Sequence, residues 1–183
     1  MKKEWIIAPA WGGRQEAAAR FGTSPLIAQL LHNRGIDDPA AARGFLNPQL
    51  KDLHPPEQMP GAMDAARLLA DAVRENQKIT IYGDYDVDGI TGTAVLWHAL
   101  TALGANVDFY VPHRLEEGYG LNPDAVAKLA DDGTEMIVSV DCGVTAVDAA
   151  RVARQRNVRL LITDHHTPPA ELPEADAIVH PAI

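Results

Sequence analysis

Cysteine is nearly absent: Cys142 is the only one in 183 residues. An intramolecular disulfide is therefore impossible, and a structural zinc site built on cysteines is excluded. Long apolar runs are missing as well, and nothing approaches the ~20 residues of a membrane helix. The start, Met1-Lys2-Lys3-Glu4-Trp5, is basic, but Ile6 to Ala10 is too short for the apolar part of a secretory signal. A cytoplasmic protein with no membrane association is the expectation. Internal repeats and low-complexity tracts are also absent. Basic residues are outnumbered, 16 against 25 acidic, for a net charge of −9. That balance argues against a protein that coats nucleic acid generically. What is present is an ordinary globular composition, 46% hydrophobic and 22% charged. It excludes a largely disordered chain and suffices to bury a core. The length suggests one domain with room for a small appendage.

Two grammars divide the chain. Up to about residue 58 it reads as helical and irregular. Ser24 caps a helix with Pro25 in its first turn; Leu26, Ile27, Leu30 and Leu31 recur at helical spacing, and Gly35 stops it. Asp38-Pro39 opens a second helix ending near Leu46, and Asn47-Pro48 and His54-Pro55-Pro56 mark loops. A helix follows over 62–76, with Met63, Ala66, Leu69, Ala70 and Val73 as its apolar stripe. From Lys78 strands alternate with helices. Strands are expected at 78–82, 106–111, 136–140 and 158–163, with 177–180 as a short sequel to the last. Helices are expected at 89–103, 122–131 and 145–156. Such alternation implies βαβ crossovers and a parallel sheet, and the short continuous apolar runs imply strands covered on both faces. The expected fold is α/β: a parallel β-sheet flanked by helices (59–183), with a mainly helical N-terminal segment (1–58).

In open parallel sheets, ligands bind at the carboxyl ends of the strands. Gly83-Asp84-Tyr85-Asp86-Val87-Asp88-Gly89 follows the first strand. Pro112-His113-Arg114 and then Glu116-Glu117-Gly118-Tyr119-Gly120 follow the second. Asp141-Cys142-Gly143 follows the third, and Asp164-His165-His166 the fourth. Three of the four loops open on an acid at the strand end. One such loop alone is better explained by turn residues and helix caps. Three converging acidic loops, one with paired histidines, point to a metal site. Crowded carboxylates repel, and a divalent cation relieves the repulsion. Hard oxygen donors suit Mg²⁺ or Mn²⁺, and an imidazole favours Mn²⁺. A calcium-binding EF-hand does not fit, because its twelfth position is Val95 and the loop follows a strand. Gly83 and Gly89 are expected to let the backbone turn around the cluster. Cys142 reads as a small buried residue beside a ligand. Arg114 grips a phosphate or is merely solvated; Tyr119 stacks on a base or packs on its own loop. Trp97 and His98 read as helix packing residues. His32, His54, His113 and His180 show no partner pattern.

The strings Tyr82-Gly83-Asp84-Tyr85-Asp86-Val87-Asp88-Gly89-Ile90-Thr91, Val140-Asp141-Cys142-Gly143 and Thr163-Asp164-His165-His166, in this order, resemble the first three motifs of the DHH phosphoesterase superfamily. Within it the fuller resemblance is to the RecJ family of single-strand-specific 5′→3′ DNA exonucleases. Ser24-Pro25-Leu26, Asn33-Arg34-Gly35 and Phe45-Leu46-Asn47-Pro48 resemble that family's N-terminal segment, and Glu117-Gly118-Tyr119-Gly120-Leu121 its second-strand loop.

The resemblance implies a centre for two Mn²⁺ or Mg²⁺ ions. It makes Asp84, Asp86, Asp88 and His165 metal ligands and Asp141 the bridging carboxylate. It sets His166 against the scissile phosphate and makes Asp164 the residue that orients the histidines. Arg114 and Tyr119 match DNA contacts. The implied substrate is single-stranded DNA, released as 5′-mononucleotides in repair and recombination, with single-strand-binding protein and a helicase as partners. A fourth-motif aspartate and a glycine-rich second domain are expected beyond Ile183, leaving the catalytic domain incomplete and the piece potentially inactive. Two rivals stand beside this reading. One is a DHH phosphodiesterase acting on short RNA or cyclic dinucleotides, or a related pyrophosphatase; the latter is disfavoured because its first motif begins with histidine where Tyr82 stands. The other is a non-catalytic replication scaffold, against which the intact acids and histidines speak.

Overall fold

The computed structural model describes residues 6–113, 118 and 120–183. The chain divides into two compact units between His54 and Pro55. The first unit holds α1 (Arg14–Phe21), α2 (Pro25–His32) and α3 (Pro39–Leu46). The Ser24 and Asp38 side chains accept hydrogen bonds from the Ile27 and Ala41 N–H groups, so both helices start where the capping residues dictate. Helix α1 is not singled out by its sequence: it lacks a side-chain cap. Its Ala17, Ala18 and Phe21 nevertheless form a small core with Ala28, Leu31 and Ala42. His32 stacks on Trp11 at 4.1 Å and pairs with Asp37.

The second unit runs α4 (Ala62–Arg74), β1 (Ile79–Gly83), α5 (Val87–Ala102), β2 (Val107–Tyr110), α6 (Pro123–Asp131), β3 (Met136–Val140), α7 (Val147–Gln155), β4 (Arg159–Thr163) and β5 (Ala177–Val179). The sheet order is β2-β1-β3-β4-β5, and every pairing is parallel. The sequel at 177–180 is thus a fifth strand. Side chains alternate between faces with period two. Ile79, Ile81, Met136, Val138 and Leu161 pack under α4 and α5, whereas Tyr82, Ile137, Leu160 and Ile162 pack under α6 and α7. Two covered faces explain the unbroken apolar runs in β1, β3 and β4. The edge strand β2 departs from that pattern: Asp108 and Phe109 are exposed.

Two packing expectations are corrected. The buried stripe of α4 is Ala65, Leu68, Leu69, Ala72 and Val73; Met63, Ala66 and Ala70 face outward. Both stripes have helical spacing, and an alanine-rich helix does not distinguish them by hydrophobicity alone. Trp97 packs against the core as expected, but His98 is exposed. Among the described residues no helix is long and apolar enough to cross a membrane.

Candidate metal centre

Strand register assembles the site. Gly83 lies opposite Val140, and Val140 opposite Thr163. The next residue on each strand is an aspartate, so Asp84, Asp141 and Asp164 stand side by side at the carboxyl end of β1, β3 and β4. Their backbone N–H groups extend the ladder, donating to the carbonyls of Val140, Thr163 and Val179 at 3.2, 2.9 and 3.1 Å.

Asp84 is 1% exposed, and neither carboxylate oxygen has a hydrogen-bond partner among the described residues. A buried carboxylate without partners is costly, so this side chain is built to meet something else. Asp86 caps α5: its Oδ1 accepts from the Gly89 N–H at 3.0 Å. That bond is the main reason its carboxyl sits below its ordinary value. Asp141 goes the opposite way, raised first by burial and then by the charge of Asp86. Its backbone is strained, with φ at +63°. Ser139 steadies this turn by donating its hydroxyl to the Cys142 carbonyl at 2.7 Å. Gly143 follows at φ +116°, where a side chain would meet the Ser139 hydroxyl at 2.7 Å.

The two glycines of the first loop serve proximity rather than turning. Neither has positive φ. A Cβ on Gly89 would lie 2.5 Å from the Asp84 carbonyl oxygen, and one on Gly83 would lie 2.1 Å from the Thr93 hydroxyl. Helix α5 can approach β1 only because both are glycine.

Asp164 is used up by its own loop. Its Oδ1 accepts from the backbone N–H groups of His165 and His166 at 2.7 and 3.0 Å and lies 2.7 Å from His166 Nδ1. Its Oδ2 accepts from the Val144 N–H at 2.9 Å. Burial alone would raise its carboxyl, but these hydrogen bonds outweigh burial and hold it low. The same contact raises the His166 imidazole. His165 turns to the other side, its Nε2 3.0 Å from Asp141 Oδ1 and 3.8 Å from Asp88 Oδ2.

Among the described residues, two groups of side chains therefore offer ligand atoms within 4.8 Å of one another: Asp84, Asp86 and Asp141, and Asp141, His165 and His166. Asp141 belongs to both. A buried carboxylate unpartnered among the described residues, beside this oxygen and nitrogen donor set, fits hard divalent cations. Asp88 stands at the margin, near His165 but in neither group, and Asp164 faces inward to its loop. Arg114 and Tyr119 lie outside the described residues. A cavity of about 350 Å³ adjoins the centre, lined by Gly120, Leu121, Gly143, Val144, Thr145, Ala146, Asp164 and His166. A larger depression of about 640 Å³ includes Val158 and Arg159 at the opposite end of β4 and holds none of these donors.

Cys142 is buried, and burial followed by the Asp84 charge pushes its thiol up, against the thiolate form a nucleophile needs. Sequence reading missed two supporting residues. Ser139 is a polar residue in an apolar strand, which was a readable signal. His180 is 1% exposed and contacts the histidine pair through the backbone; its sequence context carried no signal. Tyr82 adds a third anchor, donating its hydroxyl to the Gly120 carbonyl at 3.0 Å.

Residues 78–183 match the family model described as DHH family, N-terminal domain. The single-stranded-DNA-specific exonuclease RecJ of Bacillus subtilis is 46% identical over 158 residues, which is 86% of this chain and 20% of that protein. A crystal structure of exonuclease RecJ bound to manganese superposes with a TM-score of 0.65 at 42% identity, covering 68% of this chain and 32% of the other. RecJ from Thermus thermophilus in complex with Mg²⁺ gives 0.54 at 29% identity, covering 97% and 20%. The chain spans about a fifth of the length of the Bacillus subtilis relative.

Proposed function

The chain belongs to the DHH family, and on that footing we propose that it carries the metal centre of a 5′→3′ exonuclease for single-stranded DNA. The observation that carries the reading is the pair of ligand groups sharing Asp141, with Asp84 buried and unpartnered among the described residues beside it. Two Mn²⁺ or Mg²⁺ ions are the proposed occupants. Asp84, Asp86, Asp88 and His165 would hold them and Asp141 would bridge them. When bound, the ions supply Lewis-acid polarisation of a phosphate and a nucleophilic water at neutral pH.

The remaining steps belong to the chain. Asp164 fixes the His166 ring through Nδ1, leaving Nε2 directed away from Asp164 as a donor to a phosphate oxygen. Its raised pKa keeps that donor charged to higher pH. Attack on phosphorus forms an O–P bond to water and breaks the bond to the 3′ oxygen of the terminal nucleotide. That nucleotide leaves as a 5′-mononucleotide, and the next one keeps the phosphate. Arg114 and Tyr119 are proposed to hold phosphate and base. We assign residues 1–58 as a helical N-terminal domain and 59–183 as the catalytic domain. A cytoplasmic role in repair and recombination follows from the reading, with single-strand-binding protein and a helicase as partners. The 183 residues alone are proposed to bind metal and to need a further aspartate for turnover.

The test is Asp141→Asn in the enzyme carrying this chain. Mn²⁺-dependent release of nucleotides from a long, 5′-labelled single strand should fall by about 10²-fold or more. Retained activity would sink the reading.

A further inference from the structure

One buried side chain has no part in the chemistry above. His180 follows β5 and is 1% exposed. A buried imidazole is tolerated when its ring nitrogens find partners, and both do. The Ala182 N–H donates to Nδ1 at 3.0 Å, so Nδ1 carries no proton. The proton is therefore on Nε2, which lies 2.7 Å from the backbone carbonyl oxygen of His166. A carbonyl oxygen only accepts, so the two contacts agree on one form, the neutral Nε2–H tautomer. The backbone of His180 is also tied down, its N–H donating to the Pro60 carbonyl at 3.3 Å.

The residue it grips is the second of the histidine pair. Asp164 already holds His166 by its backbone N–H and by ring Nδ1, at 3.0 and 2.7 Å. His180 holds the opposite side of the same residue, its carbonyl. With both peptide groups of His166 fixed, its φ and ψ are set, and so is the base from which the ring projects. The direct hydrogen bonds around a metal centre orient its ligands, and their loss weakens binding though no ligand is removed.

We propose that His180 is a positioning residue for the histidine pair, acting as a neutral Nε2–H donor that locks the His166 backbone carbonyl. This rests on the reading of Asp84, Asp86, Asp88, Asp141 and His165 as a metal site that His166 adjoins. His180→Phe keeps the ring volume and removes the donor. His180→Gln places an N–H near the reach of Nε2. Mn²⁺ titration of the full chain should show a loss of about 10- to 100-fold in affinity for the Phe variant and recovery of most of it in the Gln variant. Histidine ¹⁵N–¹H NMR of the metal-free protein should show His180 protonated at Nε2, and His166 ring signals displaced by Phe but not by Gln.

Three results overturn the proposal: His180 protonated at Nδ1 in the wild type, a folded Phe variant with unchanged Mn²⁺ affinity and His166 signals, or a Gln variant as impaired as Phe. If the Phe variant does not fold, the Gln variant and the wild-type tautomer decide. If the wild type binds no Mn²⁺, the metal-site reading fails instead, and the NMR measurements alone judge His180.

Discussion

Asp141 and Asp164 sit at the ends of neighbouring strands, equally buried, with carboxyls displaced in opposite directions. Asp164 faces N–H donors, which favour its charge; Asp141 faces low polarity and other carboxylates, which do not. Replacing Asp164 with Asn puts an amide where a donor must be accepted. The cost should be about 1–3 kcal/mol in urea unfolding, from a buried N–H left unpaired. The pH dependence has a definite sign. The folded-state pKa of Asp164 lies below the ordinary 3.8. Its stabilisation is therefore complete above that value and is lost as pH falls through the lower folded one. The Asn variant should lose less stability than the wild type across that acid window, which acid-titrated unfolding would reveal. His180, by contrast, was invisible as a functional residue in the sequence. Its neighbours along the chain say nothing of which carbonyl it meets.

Helix α5 concentrates several demands in its first turn. Asp86 is both its cap and a candidate ligand, Asp88 adds an exposed acid, and Gly89 lets the helix touch the Asp84 backbone. Helix propensity alone predicts that Gly89→Ala stabilises the protein by about 1 kcal/mol. The 2.5 Å approach to the Asp84 carbonyl predicts the reverse. Overpacking of this kind costs about 1–3 kcal/mol, so the thermal midpoint should fall, and a rise would show the approach to be soft. At α2 no such conflict exists. Ser24→Ala should lose about 1 kcal/mol, read as a lower urea midpoint, because only the cap to the Ile27 N–H is removed. Caps and glycine stops were legible here because they act within four residues. The stripe of α4 was misplaced because alanine provides little contrast between one helix face and the next.

Across the whole second unit, the sheet holds the acids at fixed spacing before any metal arrives. Such a site raises stability on binding, since the unfolded chain has no equivalent. Mn²⁺ at about 100 times its dissociation constant should add about 2.7 kcal/mol, and a chelator should remove it. A differential scan with and without Mn²⁺ checks this. Binding should weaken as pH falls, because Asp141, whose carboxyl burial and the Asp86 charge push up, must be deprotonated to act as a ligand; Mn²⁺ titrations at stepped pH would show it. The core is equally exposed to test. Ile162→Ala, beneath α6 and α7, should cost about 2–5 kcal/mol by opening a cavity in a packed interior. The charge of −9 also takes on a local meaning, since part of it is gathered where cations would sit and would then attract an anionic substrate.

By itself the sequence determined the alternation of strands and helices, the parallel class of the sheet, the acids at three strand ends and the family those motifs resemble. Each of these depends on spacing within a few residues, where backbone geometry is nearly universal. Only the tertiary structure decided that both oxygens of Asp164 turn to its own loop and that Asp88 stands at the margin of the donors, near His165. It also decided that His180 reaches the His166 carbonyl. Those outcomes depend on strand register and side-chain direction between segments tens of residues apart. The sequence encodes both, but it does so through the packing of the whole core.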